Sequence, residues 1–336
     1  MARKALFVLA ASRRWRILPS PVEGPNPIQR SAYHPAADGT SGAFWRPELW
    51  ERVNLVDDEL FWERLNRRVF QGGIPSTEKL ARFEGFCENY RMSPDKSVKT
   101  AGGQLLCPLG NFPGLDAKPV HELRGFPWAA EFERRSTVVA TEYKAFQRQM
   151  RDRGWTSRDH LAKHWAGSDF QKVSLAMERV YRPDALEHFP RTMRLIEDLD
   201  LVSMREVALN KQAPGSGLIA HSDKFNYMLT GHLGVSVPTY SNQTAPAMCG
   251  LEINGTVKSW TEGKLLVIDN SFMHRTWNDS PKEPRVILYF DFWHPDLSEE
   301  ERRALAIFRR TFKERSVEKE KERLDSARAL NRLFGV

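Results

Sequence analysis

Asn254-Gly255 stands between Leu251-Glu252-Ile253 and Thr256-Val257-Lys258. An Asn-Gly pair flanked by short β-prone segments is a strong signal for a two-residue hairpin, because both turn positions take positive φ. The flanking segments are thereby fixed as antiparallel neighbours. Glu262-Gly263 marks another turn one strand later, and short apolar runs continue after Asp198 without an intervening helical pattern. That arrangement predicts a sandwich or jelly roll rather than a parallel sheet crossed by helices.

Helical spacing is found at the two ends. Leu49, Trp50, Val53, Leu60, Phe61 and Leu65 recur on one helical face between Pro47 and Phe70, and helices are also expected over 78–90 and 127–153. Prolines 19, 21, 25, 27 and 35 make residues 18–48 a loop lying over the surface. Ser298-Glu299-Glu300-Glu301 is a capping box, opening a C-terminal helix whose Leu305, Phe308 and Phe312 form a docking stripe. From Lys313 to Arg323 nearly every residue is charged, with Glu318/Lys321 and Glu320/Arg323 spaced for ion pairs on a solvated helix. Leu324, Leu330 and Leu333 are the positions from which 299–336 could contact a partner helix. The expected division is an N-terminal extension of loop and helix over 1–110, a central domain over 111–298 and a charged helix over 299–336.

A chain of 336 residues can bury a substantial core. Its net charge of +7 suggests nucleic acid only until it is located: residues 1–22 carry five basic side chains and no acid, residues 298–336 carry a net +3, and 23–297 are left at −1. The central region is nearly neutral, so no nucleic-acid partner is expected. No apolar run reaches the length of a membrane-spanning helix, which predicts a soluble protein with no integral membrane segment. Cys87, Cys107 and Cys249 are odd in number and fit neither a disulfide framework nor a zinc pattern, so a reducing, cytoplasmic location is expected. Residues 1–22, basic and acid-free around Ala5–Ala11, read as a first strand with a basic turn, the alternative being an organelle-targeting segment. His160 and His164 share a helical face but lack the glutamate of a zinc-protease helix, and read as surface histidines.

The chemistry-bearing pattern is His221-Ser222-Asp223, with His274 53 residues beyond His221 and Arg285 11 further on. On an extended strand, side chains two apart share a face, so His221 and Asp223 can present an imidazole and a carboxylate together. His274 can add a second imidazole from a neighbouring strand. Two histidines and one carboxylate on one face of a metal leave the other face open, as non-haem Fe(II) oxygenases require for co-substrate and dioxygen. Arg285 suits the anchor of a dicarboxylate, since a guanidinium binds carboxylate through two parallel hydrogen bonds.

The wording around these residues resembles the aspartyl/asparaginyl β-hydroxylase family of Fe(II)/2-oxoglutarate dioxygenases. The resemblance runs in order from Phe112-Pro113-Gly114-Leu115-Asp116 through His188-Phe189-Pro190-Arg191 and His232-Leu233-Gly234-Val235-Ser236-Val237-Pro238 to Asp269-Asn270-Ser271-Phe272-Met273-His274 and Phe292-Trp293-His294-Pro295. It implies a mainly β fold, a double-stranded β-helix (jelly roll) with an N-terminal helical region and a C-terminal helix. The implied ligands are His221, Asp223 and His274 for Fe(II), with no catalytic residue beyond them, and Arg285, His232 and Asn210 for 2-oxoglutarate. The implied reaction couples dioxygen and decarboxylation of 2-oxoglutarate to succinate and CO2 with hydroxylation of an unactivated carbon. An amino acid, free, carrier-bound or peptidyl, is the expected substrate; a non-catalytic jelly-roll binding or scaffold protein is the alternative.

The sequence departs from the family pattern at three positions. Asp223 replaces the glycine of the animal peptidyl-aspartate branch, giving the fuller ligand set and occupying the position a halide would need. Thr230 replaces an arginine two residues before His232, for which Lys211, Lys224 and Arg275 are the candidate substitutes. Asn210 stands where a small hydroxyl side chain is usual and can donate the same hydrogen bond.

Overall fold

In the computed structural model, the residues described are 16–17, 53–71, 77–92, 97–150, 156–157, 165–166, 170–199, 201, 205–239 and 248–334. The expectations for 18–48, for Ala5–Ala11, for His160 and His164 and for the side chains of Leu330 and Leu333 lie outside what is described. Nine longer strands carry the β-structure: β1 Phe170–Met177, β2 Glu206–Gln212, β3 Ser216–His221, β4 Met228–Ser236, β5 Cys249–Ile253, β6 Thr256–Ser259, β7 Leu265–Ile268, β8 His274–Asn278 and β9 Arg285–Trp293. They form two antiparallel sheets, one containing β1-β2-β9-β4-β7 in that order and the other β6-β5-β8-β3. From β2 to β9 the chain changes sheet at every connection except the β5–β6 hairpin. There Asn254 and Gly255 take φ of +46° and +77°, as a two-residue loop requires.

The pleat sorts the larger sheet into two faces. Val207 and Leu209 of β2, Leu229, Leu233 and Val235 of β4, and Val286, Leu288, Phe290 and Phe292 of β9 point to one side. They bury against α3 (Ala129–Arg135), α4 (Thr137–Met150) and α6 (Pro190–Asp198), the last preceded by α5 (Pro183–His188). The alternate residues point between the sheets. At one end that space is apolar, filled by Leu251, Ile253, Ile268, Phe272 and Ile287; elsewhere it holds the polar residues considered below.

Helix outweighs strand among the described residues, 41% to 29%, so the expectation of a mainly β chain is corrected. The antiparallel sheets and the C-terminal helix stand. Much of the excess comes from α7, Glu299–Phe334, and from α1 (Glu59–Val69) and α2 (Ala81–Met92) packed on it. Phe61 meets Phe308 and Phe312 edge-on, Phe86 meets Phe308 edge-on, and the group packs with Tyr227 and Met228 at the start of β4. The capping box forms in both directions, the Glu301 amide donating to Ser298 Oγ at 3.1 Å and the Ser298 amide to Glu301 Oε2 at 2.8 Å.

Two helical expectations need revision. The helix expected over 127–153 breaks at Ser136, whose hydroxyl donates to the Glu133 carbonyl at 2.7 Å and competes with the helical ladder. The charged stretch of α7 is not simply solvated. Glu318 pairs with Arg64 of α1, and Arg315 and Lys319 both reach Asp58, the N-cap of α1.

Candidate active site

His221 closes β3 and His274 opens β8, and the two are register partners, with ring centroids 4.3 Å apart. A register shift between Leu218 and His221 marks a bulge beside this pair, a device that re-aims a strand's side chains. Each ring is held from behind by the carbonyl two residues upstream: His221 Nδ1 lies 2.8 Å from the Ile219 oxygen and His274 Nδ1 2.9 Å from the Phe272 oxygen. A carbonyl only accepts, so Nδ1 carries the hydrogen and Nε2 presents its lone pair. Burial, reinforced by neighbouring His221, lowers the His274 pKa to about 4, which keeps the ring neutral and able to ligate at neutral pH.

Asp223 lies two residues beyond the end of β3, so the strand pleat does not set its direction. Its amide donates to the Asn270 carbonyl at 2.8 Å, and its Oδ2 accepts from Arg205 Nη2 at 2.8 Å and Asn270 Nδ2 at 3.4 Å. Burial raises this carboxyl, but Arg205 together with His274 and His221 more than offsets it, and the pKa is held well below the usual range. Ligand atoms of His221, Asp223 and His274 all lie within 4.8 Å of one another. Two imidazoles and a carboxylate at this spacing make a donor set suited to Fe(II).

Beside this cluster the space between the sheets is lined with buried polar atoms. Arg285, 1% exposed, places its guanidinium 4.4 Å from the Trp260 ring centroid and donates to Gln212 Oε1. Gln212 is itself oriented, because its Nε2 donates to the Ser216 carbonyl at 2.8 Å and its oxygen also accepts from Thr276 at 3.0 Å. Burial lowers the Arg285 pKa to about 10, still charged at neutral pH. Burial, with Arg285 nearby, pushes His232 down to about 3. Arg285 Nε, His232 Nδ1, Asn210 Oδ1 and Trp260 Nε1 are all buried without a hydrogen-bond partner. Orphaned buried polar atoms are rare. The orphaned donors Arg285 Nε and Trp260 Nε1, side by side and with His232 close by, fit a polar anionic ligand such as a dicarboxylate.

The candidate metal ligands His221, Asp223 and His274 thus lie beside the interior that Arg285 lines, with Asn210 on the Gln212 face of β2 and His232 on the Thr230 face of β4. Two of the proposed substitutes for the arginine absent at Thr230, Arg275 and Lys211, do not converge there. Arg275 pairs with Glu252 on the outer face of β8, and the pleat of β2 turns Lys211 away from Asn210 and Gln212. The buried cation is Arg205, 3.4 Å from Asp291 Oδ2, while Asp291 Oδ1 accepts from Thr230 at 2.9 Å and Tyr289 at 2.8 Å. Arg205, Gln212, Trp260 and Asp291 escaped the sequence reading. A signal for some of them was available, since polar residues recur at the inward positions of β2 and β9 (Asn210, Gln212; Arg285, Tyr289, Asp291) between apolar outward ones.

A further support comes from residues 97–112. The Leu105 amide donates to the Ser271 carbonyl at 2.8 Å, Ser222 Oγ to the Leu105 carbonyl at 2.9 Å, and the Cys107 amide to the Lys224 carbonyl at 3.1 Å. Gly110 lies so close that a Cβ there would sit 1.8 Å from the Lys224 oxygen, which excludes any side chain. One segment therefore grips both loops that carry candidate ligands.

Residues 133–295 match the family model described as aspartyl/asparaginyl beta-hydroxylase. The match spans a little under half of the chain and takes in all six candidate ligand positions, Asn210, His221, Asp223, His232, His274 and Arg285. The matched region is similar to the mouse (Mus musculus) "Aspartate beta-hydroxylase domain-containing protein 2", 29% identical over 49% of this chain and 46% of that protein. It is also similar to the Rhizobium tropici "Ornithine lipid ester-linked acyl 2-hydroxylase", 27% identical over 54% of this chain and 62% of that protein. The chain thus spans less than half the length of the mouse relative. Among solved structures, a Pseudomonas putida prolyl-4-hydroxylase aligns at a TM-score of 0.32 with 13% identity, over 47% of this chain and 86% of that one. The region matched by the family model excludes the 97–112 segment that grips the two ligand-bearing loops. No helix among the described residues is long and apolar enough to cross a membrane.

Proposed function

We propose that this chain is an Fe(II)- and 2-oxoglutarate-dependent hydroxylase acting on an unactivated carbon of an amino acid, whether free, carrier-bound or within a peptide, on a double-stranded β-helix core. The observation that carries the reading is the meeting of His221, Asp223 and His274 within 4.8 Å, beside an interior where Arg285 keeps a buried, unpartnered N–H. Iron, bound there with 2-oxoglutarate, would supply the oxidising chemistry, consuming dioxygen and releasing succinate and CO2.

The protein's own part is binding, orientation and exclusion of water. His221 and His274 hold Nε2 lone pairs toward the metal because backbone carbonyls fix their Nδ1 hydrogens. Asp223 contributes one carboxylate oxygen. Arg285, aimed by Gln212 and backed by Trp260, takes the distal carboxylate of 2-oxoglutarate, with Asn210 and neutral His232 as hydrogen-bonding partners. The buried setting strengthens that charge pairing relative to water.

The test is an anaerobic titration with Fe(II) followed by 2-oxoglutarate, read as a metal-to-ligand absorption band. Its appearance supports the enzyme over a scaffold that kept the fold, and its absence overturns the reading. Substrate-coupled succinate release, screened over free amino acids, peptides and an aminoacyl lipid, then separates the substrate classes that the relatives' names suggest.

A further inference from the structure

We infer that Arg205 is a positioning residue that confines Asp223 to one open oxygen and so preserves a metal face with room for a chelating co-substrate. The inference rests on the reading above and deepens it. Both side-chain hydrogen bonds of Asp223 fall on Oδ2, from Arg205 Nη2 at 2.8 Å and from Asn270 Nδ2 at 3.4 Å. Oδ1 is the oxygen left for a metal.

Arg205 is in turn held from its other side. Its Nε lies 3.4 Å from Asp291 Oδ2, Asp291 Oδ1 is occupied by Thr230 and Tyr289, and Asn270 Nδ2 reaches Thr230 Oγ1 at 2.9 Å. The side chains of Arg205, Asp223 and Asp291 are 10%, 22% and 1% exposed, so the fork spans two carboxylates in a largely dry setting. A guanidinium can do this because its donors diverge at fixed angles, whereas an ammonium is a point charge.

Coordination number makes the consequence specific. An octahedral ion bound by two imidazoles and one carboxylate oxygen keeps three positions, enough for a two-oxygen chelate and one more ligand. If the carboxylate bound through both oxygens, only two would remain, and the chelate would fill them. By occupying Oδ2, Arg205 decides between these states, a role that does not require contact with either ligand.

The test uses the full-length protein with Fe(II) and 2-oxoglutarate under anaerobic conditions, reading Fe(II) affinity and the metal-to-ligand band separately. Arg205→Leu is paired with Asp291→Leu so that Asp291 is not left buried without a cation, Asp223 keeping Asn270 and the metal as partners, and Arg205→Lys is the charge-conserving variant that remains informative should the double variant fail to fold. Both should still bind Fe(II), while 2-oxoglutarate affinity of the iron-loaded protein falls by about tenfold or more and the band weakens. In an Asp223→Gly background the same Arg205→Lys change should have no effect on co-substrate affinity, because there is no carboxylate left to confine. An unaltered band and co-substrate affinity in Arg205→Lys, or an equal loss in the Asp223→Gly background, overturns the inference. A wild-type protein that gives no band overturns the underlying functional reading instead.

Discussion

Gln104 Nε2 donates to Asp269 Oδ2 and to Ser271 Oγ, each at 2.9 Å, joining a segment before the family-matched region to the turn that leads into His274. The Ser271 amide donates to Asp269 Oδ1 at 2.9 Å, so the turn is closed on itself and then tied from outside. The position of one candidate ligand thus depends on a side chain that lies 170 residues earlier.

Gln104→Leu should therefore weaken Fe(II) binding without touching a ligand. It removes two buried hydrogen bonds, one of them to a carboxylate, and the cost at the site is about 1–2 kcal/mol, or roughly 5- to 30-fold in affinity. Calorimetric titration with Fe(II) under anaerobic conditions measures it. An unchanged affinity would show that the turn holds His274 without help from residues 97–112.

Asp269 also gives stability a pH dependence. Burial raises its carboxyl to about 6, the hydrogen bonds from Ser271 and Gln104 offsetting only part of the effect. An unfolded aspartate titrates near about 3.9, so the folded protein holds the proton more tightly. This contribution is fully present below about pH 4 and is lost as pH rises through about 6, a change on the order of 2–3 kcal/mol. Asp269→Asn cannot titrate, so the stability difference between wild type and variant should shift in favour of the variant from pH 4 to pH 7. Urea unfolding across that range would refute the idea if the difference stayed flat.

The parts of the fold legible in the sequence were those set by local rules. Asn254-Gly255 and Ser298-Glu301 specify a turn and a cap through nearby backbone geometry alone, and both form as expected. His221, Asp223 and His274 could be listed from spacing, but the cause of Asp223's direction could not, because it is set by Arg205 and Asn270 from distant segments. The proportion of helix was underestimated for a similar reason. An amphipathic pattern shows that Phe308 and Phe312 need a partner but does not name α1 and α2. Glu318 was assigned to Lys321 on its own helix; its shorter contact is with Arg64 of α1 at 2.8 Å, with Arg315 three residues earlier at 3.3 Å, since a charge i, i+3 away competes with any charge that the tertiary fold brings closer.

That cross-helix network predicts a stability effect. Arg315 Nε donates to both Asp58 oxygens at 3.0 Å, and the two side chains are only 9% and 4% exposed. Arg315→Leu leaves the Asp58 carboxylate with Lys319 at 3.1 Å and the Phe61 amide as remaining partners. The loss should be about 1–3 kcal/mol, less than for a buried charge left wholly alone. Thermal unfolding should show it while Fe(II) binding stays unchanged. A neutral result would mean that Lys319 suffices to pin α7 to α1.

His221→Ala or His274→Ala should abolish Fe(II) binding and turnover with the fold retained, since each removes one of three ligands from an open site. Asp223→Gly should weaken iron binding less severely, leaving both imidazoles in place. Far-ultraviolet circular dichroism checks the fold and anaerobic metal titration checks the site. Wild-type Fe(II) affinity in either histidine variant would remove the proposed ligand set.

Arg285 offers the sharpest separation of co-substrate from metal. Arg285→Lys keeps a charge but loses the planar fork that Gln212 aims, so the apparent KM for 2-oxoglutarate should rise; Arg285→Leu should raise it much further. A charge-assisted contact of this kind contributes about 1.5–3 kcal/mol, which corresponds to roughly 10- to 150-fold in affinity. Fe(II) affinity measured without 2-oxoglutarate should not change, because the ligand cluster has its own supports in Ile219, Phe272, Arg205 and Asn270. If Arg285→Leu left the 2-oxoglutarate dependence intact, Arg205, the buried cation beside Asp223, would be the next residue to test. The co-substrate would then lie on the Asp223 side of the interior rather than against Trp260.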